Sequence, residues 1–130
     1  MRTLIIEDDF SSRILMHKML SPYGEVHVAE NGREALGILK DIHVPSDWYD
    51  LICLDIMMPE MDGHTTLENI RSLEDSLSLR PGDRAKIIMT TALSDSESVV
   101  GAFKKNCDSY IVKPVERAKL LKQLRKLSLL

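Results

Sequence analysis

The chain has 130 residues, 44% of them hydrophobic and 28% charged, a length and balance that suit one soluble globular domain and leave little room for two. No apolar stretch reaches the roughly 18 residues a membrane-spanning helix needs, and the N-terminal apolar run meets Glu7-Asp8-Asp9 too soon for a secretory signal, so a cytoplasmic location is expected. A net charge of -3 argues against the concentrated basic face that nucleic acid requires, and Cys53 and Cys107 are too few and too isolated for a zinc site or a disulfide framework.

Short apolar runs alternate with segments of helical period, the pattern of βα units around a parallel sheet. Thr3 to Glu7 reads as the first strand. A helix follows with Ile14, Leu15, Met19 and Leu20 on its apolar side, stopped by Pro22 and Gly24. Glu25 to Ala29 alternates as a second strand, and Asn31-Gly32 turns into a helix carrying Ala35, Leu36 and Leu39. His43 to Asp50, with Pro45, reads as a loop. Leu51 to Asp55 is apolar up to its final acid, as a strand covered on both faces should be, and Cys53 within it reads as a buried reduced thiol. A loop with Pro59 and Gly63 leads to a third helix near Thr65 to Leu73. The polar stretch Glu74 to Arg84 is broken by Pro81-Gly82, and either an extended helix or a projecting loop fits it. Strand four is Lys86 to Thr90 or Thr91, helix four runs from about Asp95 to Lys105, and strand five is Ser109 to Lys113. After Pro114 a last helix places Leu120, Leu121, Leu124 and Leu127 at helical spacing, with its Lys and Arg residues on the solvated side. Residues 1–130 are expected to form a single α/β domain with no output domain.

The polar residues collect at the carboxyl ends of the predicted strands: Glu7-Asp8-Asp9, Asp55, Thr90-Thr91 and Lys113. In an open parallel sheet that is the rim where ligands bind. Each residue alone has an ordinary reading. A lone acid at a strand end is commonly a helix N-cap or a solvated loop residue, a Lys before Pro is commonly surface, and Thr suits any strand. Their coincidence at one end of successive strands changes the weight. Crowded carboxylates repel and raise one another's pKa unless a cation sits among them, and Mg²⁺ suits a site of few carboxylates, several waters and a phosphate. Asp55 would then be a nucleophile forming an acyl phosphate, with Lys113 offsetting charge on the transferred group.

The run Asp55-Ile56-Met57-Met58-Pro59-Glu60-Met61-Asp62-Gly63, with Glu7-Asp8 before it and Thr91-Ala92 and Lys113-Pro114 after it, resembles the receiver domains of two-component response regulators. The likeness covers essentially the whole chain, and the nine-residue run around Asp55 is its most specific part. The resemblance implies a flavodoxin-like (βα)5 fold with a parallel sheet of order 2-1-3-4-5 and helices on both faces. It makes Asp55 the phosphoacceptor and Glu7, Asp8, Asp55 and the backbone carbonyl of Met57 the site of Mg²⁺ or Mn²⁺, with Asp8 ligating directly and Glu7 acting mainly through water. Asp9 competes with the acidic pair. Glu7-Asp8 is preferred because the family commonly has an Arg five positions after the second acid, where Arg13 stands. Thr91, before the small Ala92, matches the switch hydroxyl better than Thr90. Tyr110 matches the aromatic switch residue, and Lys113 the phosphate-binding lysine before a cis Pro114.

The same resemblance implies a signalling switch of a phosphorelay. The phosphoryl donor would be a phosphohistidine of a sensor histidine kinase or phosphotransfer protein, and the downstream protein target would dock on the face formed by the predicted fourth helix, strand five and last helix. Self-phosphorylation and self-dephosphorylation at Asp55 are implied, with no metabolite turnover. The apolar Met57 and Leu93 would flank the hydrolytic water and slow its attack. Two other classes compete with this reading. Aspartyl-phosphate phosphatases place a second acid two residues after the nucleophile, where this chain has Met57. A dinucleotide binder would follow its first strand with a Gly-rich loop in place of three acids. A receiver-fold interaction module that works without phosphorylation stays as the alternative.

Overall fold

Every residue of Leu51–Asp55 (β3) is buried, the consequence of an apolar run with helices on both sides. The computed structural model describes residues 1–56, 58, 61–92, 101 and 106–130. It sets β3 at the centre of a sheet with Arg2–Ile6 (β1), Glu25–Ala29 (β2), Lys86–Thr91 (β4) and Ser109–Val112 (β5). The five strands lie in the order β2-β1-β3-β4-β5, and all neighbours are parallel. This is the doubly wound order in which β1 and β3 flank the point where the chain reverses direction across the sheet.

The described helices are Phe10–Leu20 (α1), Gly32–Lys40 (α2), Gly63–Ser76 (α3) and Arg117–Lys126 (α4). Side-chain caps fix three of their starts: Asp9 accepts from the Ser12 amide, Asn31 from Glu34 and Asp62 from Thr65. Each such cap satisfies a backbone donor that the helix itself leaves open. The predicted fourth helix, near 95–105, lies outside the described residues except for Gly101, as do Met57 and Leu93. Among the described residues no helix is long and apolar enough to cross a membrane.

Side chains alternate across the sheet and divide the core in two. Leu4, Ile6, Ile52, Leu54, Ile87 and Met89 meet α2 and α3 on one face. Ile5, Leu51, Cys53, Ile88 and Ile111 meet α1 and α4 on the other. Burial pushes the Cys53 thiol up to about 12, which keeps it protonated. Leu120 and Leu124 are buried as expected, and Arg117, Lys119, Lys122, Arg125 and Lys126 face solvent.

The expectation for α1 needs correction. Ile14 and Leu15 are 40% and 45% exposed, and Met16 is buried in their place. The stripe that meets the sheet is Met16, Met19 and Leu20, the i, i+3, i+4 spacing of one helix face. Ile14 and Leu15 fall outside that stripe.

The long connection after strand three resolves as an extended helix. α3 continues to Ser76 because Glu74, which the sequence places in a polar stretch, is wholly buried. Its carboxylate accepts from Trp48 Nε1 at 2.9 Å, the Ala85 amide at 2.8 Å and Arg71 Nη1 at 2.7 Å. Arg71 also donates to the Asn106 carbonyl and to Asp108 Oδ2, which in turn accepts from the Ile87 amide. Trp48 and Tyr49, in the segment whose sequence reads as a loop, are therefore core residues. This network ties α3 to the starts of β3, β4 and β5, the end of the sheet opposite the acids.

Candidate functional site

The sheet register brings the acids together. Ile6 pairs with Leu54, so Glu7 and Asp55, one residue further along parallel strands, reach the same level. Glu7 is 1% and Asp55 6% exposed, and Asp8 beside them is exposed. Oxygens of Glu7, Asp8 and Asp55 lie within 4.8 Å of one another. Arg13 holds this turn from α1: its Nη1 donates to the Glu7 carbonyl at 2.9 Å and the Asp8 carbonyl at 3.0 Å.

Lys113, just past β5, crosses to the cluster. Its Nζ donates to Glu7 Oε1 at 3.0 Å and to Asp55 Oδ2 at 3.2 Å, and lies 2.8 Å from Glu7 Oε2. The Lys113 amide donates to the Thr91 carbonyl, and the Lys113-Pro114 bond is cis, as the resemblance implied. Burial raises the Asp55 pKa to about 7, the neighbouring Glu7 charge adds to the rise, and Lys113 opposes it. Burial alone would lower the Lys113 pKa, but the hydrogen bond to Glu7 and the charges of Asp55 and Glu7 outweigh it and leave the ammonium more firmly protonated. One ammonium thus serves two buried carboxylates, and the charge of the cluster is incompletely offset.

That donor set fits a hard divalent cation. All three side chains offer carboxylate oxygens, the preferred ligands of Mg²⁺ and Mn²⁺. Glu7 Oε2 is buried with no aligned hydrogen bond among the described residues, and Asp8 leaves one side open to water. Met57, whose backbone carbonyl is a further expected ligand, lies outside the described residues.

The neighbouring acid Asp9 has another task. Its Oδ2 accepts from the Ser12 amide at 2.9 Å and from Ser12 Oγ at 2.8 Å, and that hydroxyl bond is the main cause of its lowered pKa. It is the N-cap of α1 and is not part of the acidic cluster, so of the three contiguous acids the structure groups Glu7 and Asp8 with Asp55.

Thr91, at the end of β4, is 2% exposed and pairs with Val112, one residue past the level of Asp55. Tyr110 is 44% exposed on β5 and pairs with Met89. Gly63 supports the rim from below. Its amide donates to the Ile56 carbonyl at 2.9 Å, and a Cβ there would lie 2.7 Å from the Asp55 carbonyl oxygen. Only a residue without a side chain lets α3 start this close to the end of β3.

Comparison with known proteins places this arrangement. The family model of the response regulator receiver domain matches residues 3–125. The chain is 33% identical over 127 residues to the chemotaxis protein CheY of Bacillus subtilis, covering 96% of this chain and 95% of that protein. It is 33% identical over 135 residues to the regulatory protein AtoC of Escherichia coli, covering 96% of this chain but only 26% of AtoC. Among solved structures it resembles a CheY-like receiver domain protein of Methanospirillum hungatei, with a TM-score of 0.73 at 28% identity, covering 97% of this chain and 92% of that one. Receiver domains are signalling proteins rather than metabolic enzymes, and on the match across residues 3–125 this chain belongs to the response regulator receiver domains of two-component systems.

Proposed function

We propose that the chain is a phosphorylation-dependent switch that takes a phosphoryl group onto Asp55 from a phosphohistidine of a sensor kinase or phosphotransfer protein and signals by protein contact. The observation that carries this reading is the position of Lys113 Nζ, 3.2 Å from Asp55 Oδ2 and 2.8 Å from Glu7 Oε2, inside a cluster of three carboxylates. Residues 1–130 act in this reading as one receiver unit.

Transfer breaks the phosphorus–nitrogen bond of the donor as an Asp55 oxygen bonds to phosphorus, and the imidazole leaves. Asp55 has to be ionised to attack. Glu7, Asp8 and Asp55, with the Met57 carbonyl, would hold Mg²⁺, which when bound supplies positive charge against the phosphoryl oxygens. Lys113 supplies a second positive charge and keeps its proton because both acids favour the ammonium. Arg13 fixes the Glu7-Asp8 turn through two backbone carbonyls. Thr91 is the hydroxyl that senses the phosphoryl group and Tyr110 the ring that follows it. The output face combines β5 and α4 with the segment between β4 and β5.

The test is incubation with acetyl phosphate and Mg²⁺ followed by intact mass. Wild-type protein should gain one phosphoryl group, and Asp55→Asn, or wild type with the metal chelated, should gain none. An unmodified wild-type protein would overturn the switch and favour an interaction module that works without phosphorylation. A phosphoryl adduct on Asp55→Asn would overturn the assignment of the acceptor.

A further inference from the structure

Thr90 carries a hydroxyl for which neither the fold nor the family resemblance supplies a role. It is 1% exposed, and its Oγ1 has no hydrogen-bond partner among the described residues. A buried hydroxyl without a partner is unfavourable, and valine would fill the same space without that cost.

The register places this hydroxyl. Thr90 on β4 pairs with Asp55 on β3, and its carbonyl accepts from the Ile56 amide at 3.1 Å. In-register residues of adjacent parallel strands point to the same face of a sheet, and residues two apart on one strand share it. Two positions before Glu7, Asp55, Thr90 and Lys113 stand Ile5, Cys53, Ile88 and Ile111, and all four belong to the cluster under α1 and α4. Thr90 therefore faces the same side as the acids and the lysine, directly beside Asp55. Thr91, the last residue of β4, stands one residue past the level of Asp55, at the rim of the sheet.

A buried, unpartnered threonine is not informative by itself. Thr3 is also wholly buried with an unpartnered hydroxyl, at the far end of β1. Thr90 differs in having the proposed phosphoacceptor as its neighbour across the strand pair.

We infer that Thr90 is a positioning residue of the phosphorylation site, its hydroxyl donating to the Asp55 carboxyl group when the site is loaded. The inference rests on the reading of Asp55 as phosphoacceptor. A free carboxylate accepts a hydrogen bond more strongly than an acyl phosphate does. The donor therefore stabilises the carboxylate that leaves when water attacks phosphorus and the bond from phosphorus to the Asp55 oxygen breaks. Removing it should lengthen the life of the phosphorylated state.

The experiment compares wild type with Thr90→Val, Thr90→Ala and Thr90→Ser. After phosphorylation with acetyl phosphate and Mg²⁺ and removal of the donor, decay of the adduct is followed by intact mass. The urea midpoint is measured separately on the metal-free proteins. Thr90→Val should decay roughly three- to tenfold more slowly, the scale of one hydrogen bond, with a midpoint equal to or above wild type. Thr90→Ser should restore wild-type decay, and Thr90→Ala, which lacks the hydroxyl but cannot overpack, should decay as slowly as the valine variant. Equal decay of wild type and Thr90→Val overturns the assignment of Thr90 alone. So does a serine variant that behaves like valine, or a valine variant whose only change is lost stability. Absence of any adduct on wild type overturns the phosphoacceptor reading and this inference with it.

Discussion

Asp55 and Glu7 are both buried and share one ammonium, so the metal-free site works against the fold. The Asp55 pKa rises from 3.8 to about 7, burial being the larger cause and Glu7 the next. An acid whose pKa is raised on folding binds more protons folded than unfolded, so its unfavourable contribution is absent below pH 3.8. It grows as pH rises toward 7 and is constant above that. Asp55→Asn removes this contribution. The metal-free variant should melt several degrees above wild type at pH 8, since 1 kcal/mol is worth about 3–6 °C in a domain of this size. The gap should shrink toward zero as pH falls from 7 to 4. Calorimetry across that range checks it, and a gap that stays constant or widens at acid pH would mean that the buried Asp55 charge is not its source. At this scale the sequence is readable where residue type and spacing coincide with a strand end. The separation of Glu7-Asp8 from Asp9 needs the cap geometry, because three contiguous acids look alike until one of them is seen accepting from Ser12. In the sequence Thr90 is no more than a rival of Thr91, since its facing depends on register.

Glu74 shows what an element gains from a contact distant in sequence. The side chain closes the last turns of α3 over the indole of Trp48 and the amide that opens β4, and Arg71 on the same helix balances its charge. Glu74→Ala would leave the Trp48 and Ala85 donors without their acceptor and would take from Arg71 one of its two carboxylate partners, Asp108 remaining. Losing one partner of a buried ion pair costs about 3–5 kcal/mol, and a urea titration should show a loss of that order. Glu74→Gln, whose amide oxygen can stand in for Oε2 and keep both the Trp48 and the Ala85 donors, should lose less. Equal losses for the two variants would mean that side-chain volume rather than hydrogen bonding closes this corner. The strands and the periodic part of each described helix are legible because alternation and helical period are local. The Trp48–Glu74 pair is not, because nothing in a polar stretch marks one glutamate as buried until α3 is laid against β3 and β4. The exposure of Ile14 and Leu15 escapes for the converse reason. Adjacent apolar residues fit more than one helix face, and only packing against the sheet selects the face of Met16, Met19 and Leu20.

The molecule as a whole places its charge cluster at one end of the sheet and its indole at the other, with β3 running between them. Trp48 lies in the core cluster with Leu54, Ile52 and Leu67, and Asp55 is the next residue of β3 after Leu54. If the two ends unfold together, a cation held by Glu7, Asp8 and Asp55 must stabilise the environment of Trp48 without touching it. Free Mg²⁺ at about a hundred times its dissociation constant adds about 2.7 kcal/mol to a two-state domain. The urea midpoint read by Trp48 fluorescence should therefore rise with Mg²⁺ by the same amount as the midpoint read by far-ultraviolet circular dichroism. Both shifts should be much reduced in Asp55→Asn, which loses one charged ligand. The chain's single tryptophan makes the fluorescence signal a report on that one place. A midpoint that moves in circular dichroism but not in fluorescence would mean that the site end opens separately from the Trp48 end. The cation would then bias a local unfolding unit, and the route from Asp55 to a distant surface would have to pass through that unit rather than through the sheet as one body.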